Sequence, residues 1–293
     1  MQSGLTGTYA EDDGSGGMNA APDKSEDFAT PVRLLHMSDI HFGGEDAAAL
    51  AAASAFAAAS PFDLLVVTGD LTQFGHHDEF AAAAAWLARL PGPQLATPGN
   101  HDTPWGGLPE RVVAPFSRYA RTVGPPAEAG FESDALVART INSARGWQIR
   151  LNWSKGEVSR WQAVKVARRL EATKARAVRV LACHHPLVEV IGAPMTARVR
   201  GGRFAARRLA RARVDLVLTG HLHAPFVQPL PFGDEKTYAV GAGTLSLRER
   251  GAPAGFNVIE IAGNQLTVTA MGWTGHDLAT ERVWTAPLRA RDP

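Results

Sequence analysis

Seven residues of this chain, Asp39, His41, Asp70, Asn100, His184, His221 and His223, share one feature: each stands just past the point where an apolar run stops. The segments are Ser38-Asp39-Ile40-His41, Gly69-Asp70, Gly99-Asn100-His101-Asp102, His184-His185 and Gly220-His221-Leu222-His223. Carboxylate, amide oxygen and imidazole together form a donor set for Mn, Fe or Zn rather than for Ca or Mg alone. We read these seven residues as candidate ligands of two divalent ions (Mn2+, Fe2+/Fe3+ or Zn2+). One carboxylate can bridge two ions, and Asp70, in the middle of the series, is the candidate bridge. In Asp-x-His and His-x-His, alternation along an extended loop is expected to put both side chains on one side. Gly69, Gly99 and Gly220 are expected to let the backbone turn sharply and approach the ions closely.

Two cations about 3.5–4 Å apart lower the pKa of a shared water toward about 7, which gives a nucleophile for phosphoester hydrolysis. A leaving oxygen also needs a proton. His101 adjoins candidate ligand Asn100 yet is not itself needed as a ligand, and an imidazole titrates near 6.5, so we read it as the general acid. Asp102 is either an outer partner of a ligand or a loop cap. His185, Arg248 and Arg250 are candidate substrate contacts, because arginine pairs bidentately with phosphate. Trp105, in the loop after Gly99-Asn100-His101-Asp102, either stacks on a base or simply packs. His76 and His77 start a helix or reach the substrate. His36 reads as a packed core histidine, Cys183 as a small buried hydrophobe, and the other tryptophans as core.

To converge, these segments need strands that end along one sheet edge, where α/β sheets bind ligands. Residues 32–37, PFDLLVVTGD and GPQLATPGNHD read as buried strands, separated by helices over 46–59 and HDEFAAAAAWLARL. Strand, helix, strand, helix, strand predicts right-handed crossovers and a sheet that starts parallel. Further on we expect a helix over 112–125, a hairpin over 135–152 and an amphipathic helix over 157–172. AVRVLACHHP and VDLVLTGHLH are two more strands. TYAVGAGTLSLRE, which carries Arg248 nearby, GFNVIEIAG and NQLTVTAMGW read as antiparallel strands, with Gly263-Asn264 as a hairpin turn.

The chain has 293 residues with 30 basic and 29 acidic side chains, a balance that demands neither nucleic acid nor a membrane surface as partner. One cysteine excludes an intramolecular disulfide. No apolar stretch approaches the roughly 18–20 residues of a membrane span. Residues 1–30 are poor in large apolar residues and are expected to form a flexible leader, with Met18 an alternative start. Residues 31–293 are expected to form one domain, cytoplasmic, with a homodimer compatible.

In order, D-x-H, G-D, G-N-H-D, H-H-P and G-H-x-H resemble the calcineurin-like metallophosphoesterase superfamily from residue 34 to about 262. LLHMSDIHFG, VVTGDLTQFG, PGNHD, HHPL and LTGHLH are most similar to class III cyclic nucleotide phosphodiesterases and related bacterial phosphodiesterases. That resemblance implies an α/β fold, a four-layer α/β-β-α sandwich of two mixed sheets flanked by helices. It implies one ion on Asp39, His41, Asp70 and His223, and the other on Asp70, Asn100, His184 and His221. Protein phosphatases of this superfamily carry G-D-x-x-D-R-G, whereas Gly69-Asp70-Leu71-Thr72-Gln73-Phe74-Gly75 lacks the arginine that would clamp a dianionic monoester. The expected substrate is a small phosphodiester such as a 3',5'-cyclic nucleotide. Nuclease activity, hydrolysis of a lipid-precursor pyrophosphate of the UDP-diacylglucosamine type, and a metal-free scaffold are the alternatives. A nuclease would use basic patches, for which RVRGGRFAARRLARAR is the candidate; a solvated helix face is the competing reading.

Overall fold

The computed structural model describes residues 31–148, 152, 154–193, 195 and 199–291, so the expected leader and Trp153 lie outside the described residues. Two six-stranded mixed sheets pack face to face. The first has β1 (Val32–Met37), β2 (Leu64–Thr68), β3 (Gln94–Thr97), β10 (Gly255–Ala262), β11 (Gln265–Trp273) and β12 (Leu278–Pro287), in the order β12-β11-β10-β1-β2-β3. The second has β4 (Gly130–Glu132), β5 (Leu136–Thr140), β6 (Val178–Ala182), β7 (Leu216–Thr219), β8 (Phe226–Pro229) and β9 (Tyr238–Gly241), in the order β4-β5-β6-β7-β9-β8. β1, β2 and β3 run parallel, as their helical crossovers require.

Alternation along the strands makes three apolar layers. Leu34, Val66, Val180, Leu218 and Ile259 meet between the sheets. Leu35, Met37, Leu65 and Val67 point the other way, against α1 (Ala47–Ala59) and α2 (His77–Leu87). Leu181 and Val217 pack with α5 (Arg160–Glu171) and α6 (Gly202–Arg211) on the far side. Helix starts are capped: Asp46 accepts from the amides of Ala48 and Ala49, and Ser159 and Gln162 form a reciprocal box at α5. Glu79 accepts the amides of Phe74 and His76, and His76 is the N-cap of α2, so the helix-start reading holds for that histidine. His36 lies buried between the sheets, sharing a 3.0 Å hydrogen bond with Thr68 Oγ1; burial pushes its pKa down to about 3.

Several expectations are corrected. In place of one helix over 112–125 there are two short ones, α3 (Leu108–Val113) and α4 (Ser117–Thr122). Pro115 between them has no N–H to donate, so the helical ladder stops. Of the hairpin expected over 135–152, the first arm is β5, whose antiparallel partner β4 lies upstream and whose other neighbour is β6, in parallel; residues 149–151 of the second arm lie outside the described residues. Residues 141–148 are irregular, held by Asn142 Oδ1 accepting the Ala144 amide and by Arg145 donating to the Asn142 and Ala144 carbonyls. β9 is only four residues long; it pairs antiparallel with β8 but parallel with β7, and it lies in the other sheet from β10 and β11. Arg248 and Arg250 consequently stand in a loop instead of on a strand. β12, absent from the expected elements, pairs along β11 although its run is mostly exposed. Trp147 and Trp161 are exposed, against the expectation that tryptophans beyond Trp105 fill the core. Among the described residues no helix is long and apolar enough to cross a membrane.

Candidate metal centre

The loops after β1, β2 and β3 of one sheet meet the loops after β6 and β7 of the other. Main-chain hydrogen bonds stitch them together: Asp39 N to Gly69 O at 3.0 Å, His41 N to Asp70 O at 3.0 Å and Gly220 N to His184 O at 2.9 Å. At this seam Asp39, His41, Asp70, Asn100, His184, His221 and His223 are all buried. Donor atoms of six of them, joined by His101 and His185, fall into sets of three within 4.8 Å of one another: Asp39-His41-His223, Asp39-Asp70-His184, His41-Asp70-His101 and His184-His185-His221.

The backbone conformation differs from the expected extended loop. Asp39, His41, Asp70, His221 and His223 all have φ between 50° and 69°. A non-glycine residue in the left-handed region costs about 1–2 kcal/mol, and such residues cluster at functional sites. Each left-handed residue turns the chain, which is how an i, i+2 pair aims at one point.

The donor chemistry tests whether metal ions fit. Asp39 Oδ2 accepts from Ser38 Oγ at 2.6 Å and from the His221 amide at 2.9 Å. That leaves Asp39 Oδ1 buried with no hydrogen-bond partner, 3.1 Å from His223 Nε2. Asp70 Oδ1 accepts from the His101 amide at 2.8 Å. Asp70 Oδ2 is left between the two halves of the site, 3.9 Å from His41 Nε2 and 3.2 Å from His184 Nε2. His184 Nε2, out of line for a hydrogen bond to that oxygen, and Asn100 Oδ1 are also buried without partners. His184 Nδ1 donates to Thr68 O and His223 Nδ1 to Arg248 O, each at 2.7 Å. Such bonds fix the tautomer in which the other nitrogen presents a lone pair. His41 Nε2 and His223 Nε2 share a 3.4 Å hydrogen bond, and His41 Nδ1 is buried without a partner. Buried polar atoms without partners are rare in folded proteins. Several converging at one point fit divalent cations well.

The electrostatics agree. Burial pushes His41 and His221 down to about 3, so both are neutral near pH 7. Burial also opposes a charge on His184, but the nearby Asp70 and Asp39 carboxylates outweigh it and raise its pKa to about 9. A proton there does for Asp70 what a metal cation would do. Burial works against ionisation of Asp70 too, yet the surrounding histidines hold its pKa well below the usual carboxylate range.

The remaining candidates occupy different places. His101 Nδ1 donates to Gln73 O at 2.7 Å, and its Nε2 lies 3.2 Å from Arg248 Nη1. Arg250 Nη1 reaches the His221 carbonyl at 3.4 Å. His185 is buried with both nitrogens engaged, by Ser143 Oγ at 2.9 Å and Ser154 O at 2.7 Å. Asp102 is a loop clamp: it accepts from the amides of Leu71, Thr72 and Gly99 and from Thr72 Oγ1. Burial and the charge of Asp70 raise its pKa to about 6. Cys183 is buried, its thiol pushed up to about 12. Of the basic cluster, Arg203 and Arg207 lie over the Phe232 ring and Arg208 pairs with Glu171, as on an ordinary helix face; Arg198 lies outside the described residues. Sequence reasoning missed Ser38, which shares Asp39, and the carbonyls of Thr68, Gln73 and Arg248. Main-chain acceptors leave no mark on a sequence.

Gly220 is the tightest point. A Cβ there would lie 1.7 Å from Ser38 Oγ and 2.4 Å from Asp39 Oδ2. Gly220→Ala is therefore expected to dislodge Asp39 and weaken Mn2+ binding by at least about 10-fold, with a stability loss of about 1–3 kcal/mol. Calorimetric Mn2+ titration beside a thermal melt checks this; unchanged Mn2+ affinity refutes the close-packing argument.

Two mixed sheets flanked by helices, with a His/Asp cluster suited to divalent metals at their joined edge, define a metallophosphoesterase fold. The chain belongs to the calcineurin-like phosphoesterase family, whose model matches residues 32–225. A probable cyclic nucleotide phosphodiesterase of Synechococcus is 25% identical over 229 residues, 73% of this chain and 78% of the relative. Among solved structures, purple acid phosphatase PPD1 from yellow lupin seeds superposes with a TM-score of 0.62 at 12% identity, over 89% of this chain and 54% of that one. GAP50, the anchor in the inner membrane complex of Plasmodium, gives 0.56 at 13% identity over 89% and 90% of the two chains. These likenesses concern the fold alone.

Proposed function

We propose that this chain is a dinuclear metal-dependent phosphodiesterase that hydrolyses small phosphodiesters, 3',5'-cyclic nucleotides foremost. Asp39, His41, Asp70 and His223 would hold one ion, and Asp70, Asn100, His184 and His221 the other. The position of Asp70 Oδ2, facing a histidine nitrogen on each side while Oδ1 is occupied by the His101 amide, carries this reading. Bound cations supply an activated water and neutralise phosphoryl charge.

The chain's own residues do the rest. Gln73 O holds the His101 ring through Nδ1, so Nε2, which accepts from Arg248 Nη1 here, is the nitrogen that would carry a proton to the leaving oxygen. Arg248 Nη1 stands beside that nitrogen and can donate to a phosphoryl oxygen next to it. Arg250 stands farther off, against the His221 carbonyl. A diester carries one negative charge, and Gly69-Asp70-Leu71-Thr72-Gln73-Phe74-Gly75 brings no arginine to clamp a second. The name of the Synechococcus relative points the same way.

Protein purified without chelator is expected to contain up to two transition-metal ions per chain by elemental analysis. Chelation should abolish hydrolysis of bis-p-nitrophenyl phosphate, and Mn2+ should restore it. With Mn2+, bis-p-nitrophenyl phosphate and cyclic AMP should be cut in preference to p-nitrophenyl phosphate. Full activity in excess chelator, with metal removal verified, would refute the two-metal reading; preference for the monoester would refute the diester assignment.

A further inference from the structure

The loops after β2 and β3, with α3 and with Asn152 and Ser154, line a cavity of about 560 Å3 beside the candidate metal centre, with His101 and Asn100 in its wall. Its outer wall is apolar: Phe74, Trp105 and Leu108 are 39%, 67% and 57% exposed. Large apolar side chains left this open at one spot are an unmet demand for contact. The Phe74 and Trp105 rings meet at 6.1 Å and 66°, so they form the corner of a box instead of stacking on each other. That arrangement leaves ring surface for a third flat group.

The box is rigidly built. Trp105 N donates to Phe74 O at 3.0 Å, His101 Nδ1 to Gln73 O at 2.7 Å and Arg118 Nη1 to Gly75 O at 2.9 Å. A Cβ on Gly75 would lie 2.5 Å from Thr103 O, so the two loops are as close as their backbones permit. A larger hollow of about 1220 Å3 beside α6 is lined by neither His101 nor any of the seven candidate ligands. The smaller cavity is thus where the body of an alcohol served by His101 would extend.

We propose that this cavity receives the aromatic base of a nucleoside phosphate whose phosphoryl group sits at the metal centre, with Trp105 as the specificity-determining residue that stacks on the base. This rests on the phosphoesterase reading of the centre and adds to it the residue that recognises the base. Base–aromatic stacking favours a ligand enough to read as roughly 10-fold in affinity, about 1.4 kcal/mol.

The test uses the full chain loaded with Mn2+ and compares binding of adenosine 5'-monophosphate with ribose 5-phosphate, which has the same phosphate and sugar but no base. Calorimetric titration should give the nucleotide about a 10-fold advantage. Trp105→Ala should erase it and Trp105→Phe keep most of it, while ribose 5-phosphate binds all three proteins alike. Trp105 is exposed, so both variants should fold. Equal binding of the two ligands by the unaltered chain, or an advantage that survives Trp105→Ala, overturns the base pocket and leaves the phosphoesterase reading standing. If neither ligand binds the Mn2+-loaded chain better than the metal-free chain, both readings fall.

Discussion

Replacement of His101 by alanine should leave the fold and both metal ions in place and cost roughly 10²–10⁴-fold in the rate of diester hydrolysis, the usual worth of general acid catalysis. The geometry makes this substitution clean. Among the described residues the His101 side chain is hydrogen-bonded to Gln73 O and Arg248 Nη1 and meets the His41 ring edge-on; its amide, which holds Asp70 Oδ1, survives in alanine. The loss should depend on the leaving group. p-Nitrophenolate departs without a proton, so bis-p-nitrophenyl phosphate should suffer least. A ribose alkoxide needs the proton, so cyclic AMP should suffer most. Kinetics on esters of graded leaving-group pKa decide the matter. A uniform loss across the series means that His101, with Arg248, positions phosphate and donates no proton. Loss of bound metal means that His101 belongs among the ligands.

Asp70→Ala should have the other large effect, abolishing tight binding of both ions, whereas His223→Ala and His184→Ala should each weaken chiefly one. Asp70 Oδ2 faces both His41 Nε2 and His184 Nε2, while His223 Nε2 approaches Asp39 Oδ1 only on its own side. The expected drop in Mn2+ affinity exceeds the roughly 10–100-fold that follows loss of an outer partner of a ligand. Asp70→Asn, which keeps an oxygen but not the charge, should fall between. Mn2+ titrations of the variants, with circular dichroism to verify folding, provide the check. Equal losses in Asp70→Ala, His223→Ala and His184→Ala would argue against a bridge.

Which residues assemble at this centre was legible before any fold was known, because strand endings are local. A buried run such as LLVVT needs a sheet on both sides, and the polar residue that ends it has to sit at the sheet's edge. Helix limits were legible where caps are written in nearby residues, as at Asp46 and Ser159. The sequence also excluded an arginine soon after Asp70 and left His101 unclaimed beside Asn100.

Only the tertiary structure decided how the donors are aimed. Asp and His tolerate the left-handed region better than most residues, yet it still costs them energy, and hydrogen bonds between loops far apart in the chain hold the turns at Asp39, His41, Asp70, His221 and His223. Asp102 could have served a ligand or its own loop, and four donors from Leu71, Thr72 and Gly99 claim it for the loop. His185 looks as available as His184 until Ser143 and Ser154 take both its nitrogens. Arg248 reaches His101 across 147 residues of sequence because the loop after β9 folds back over the strand ends. β12 has little buried surface and no local signature; it exists because β11 offers it an edge. Residue type sets what a side chain can bind, and distant backbone atoms determine which lone pair is left free to do it.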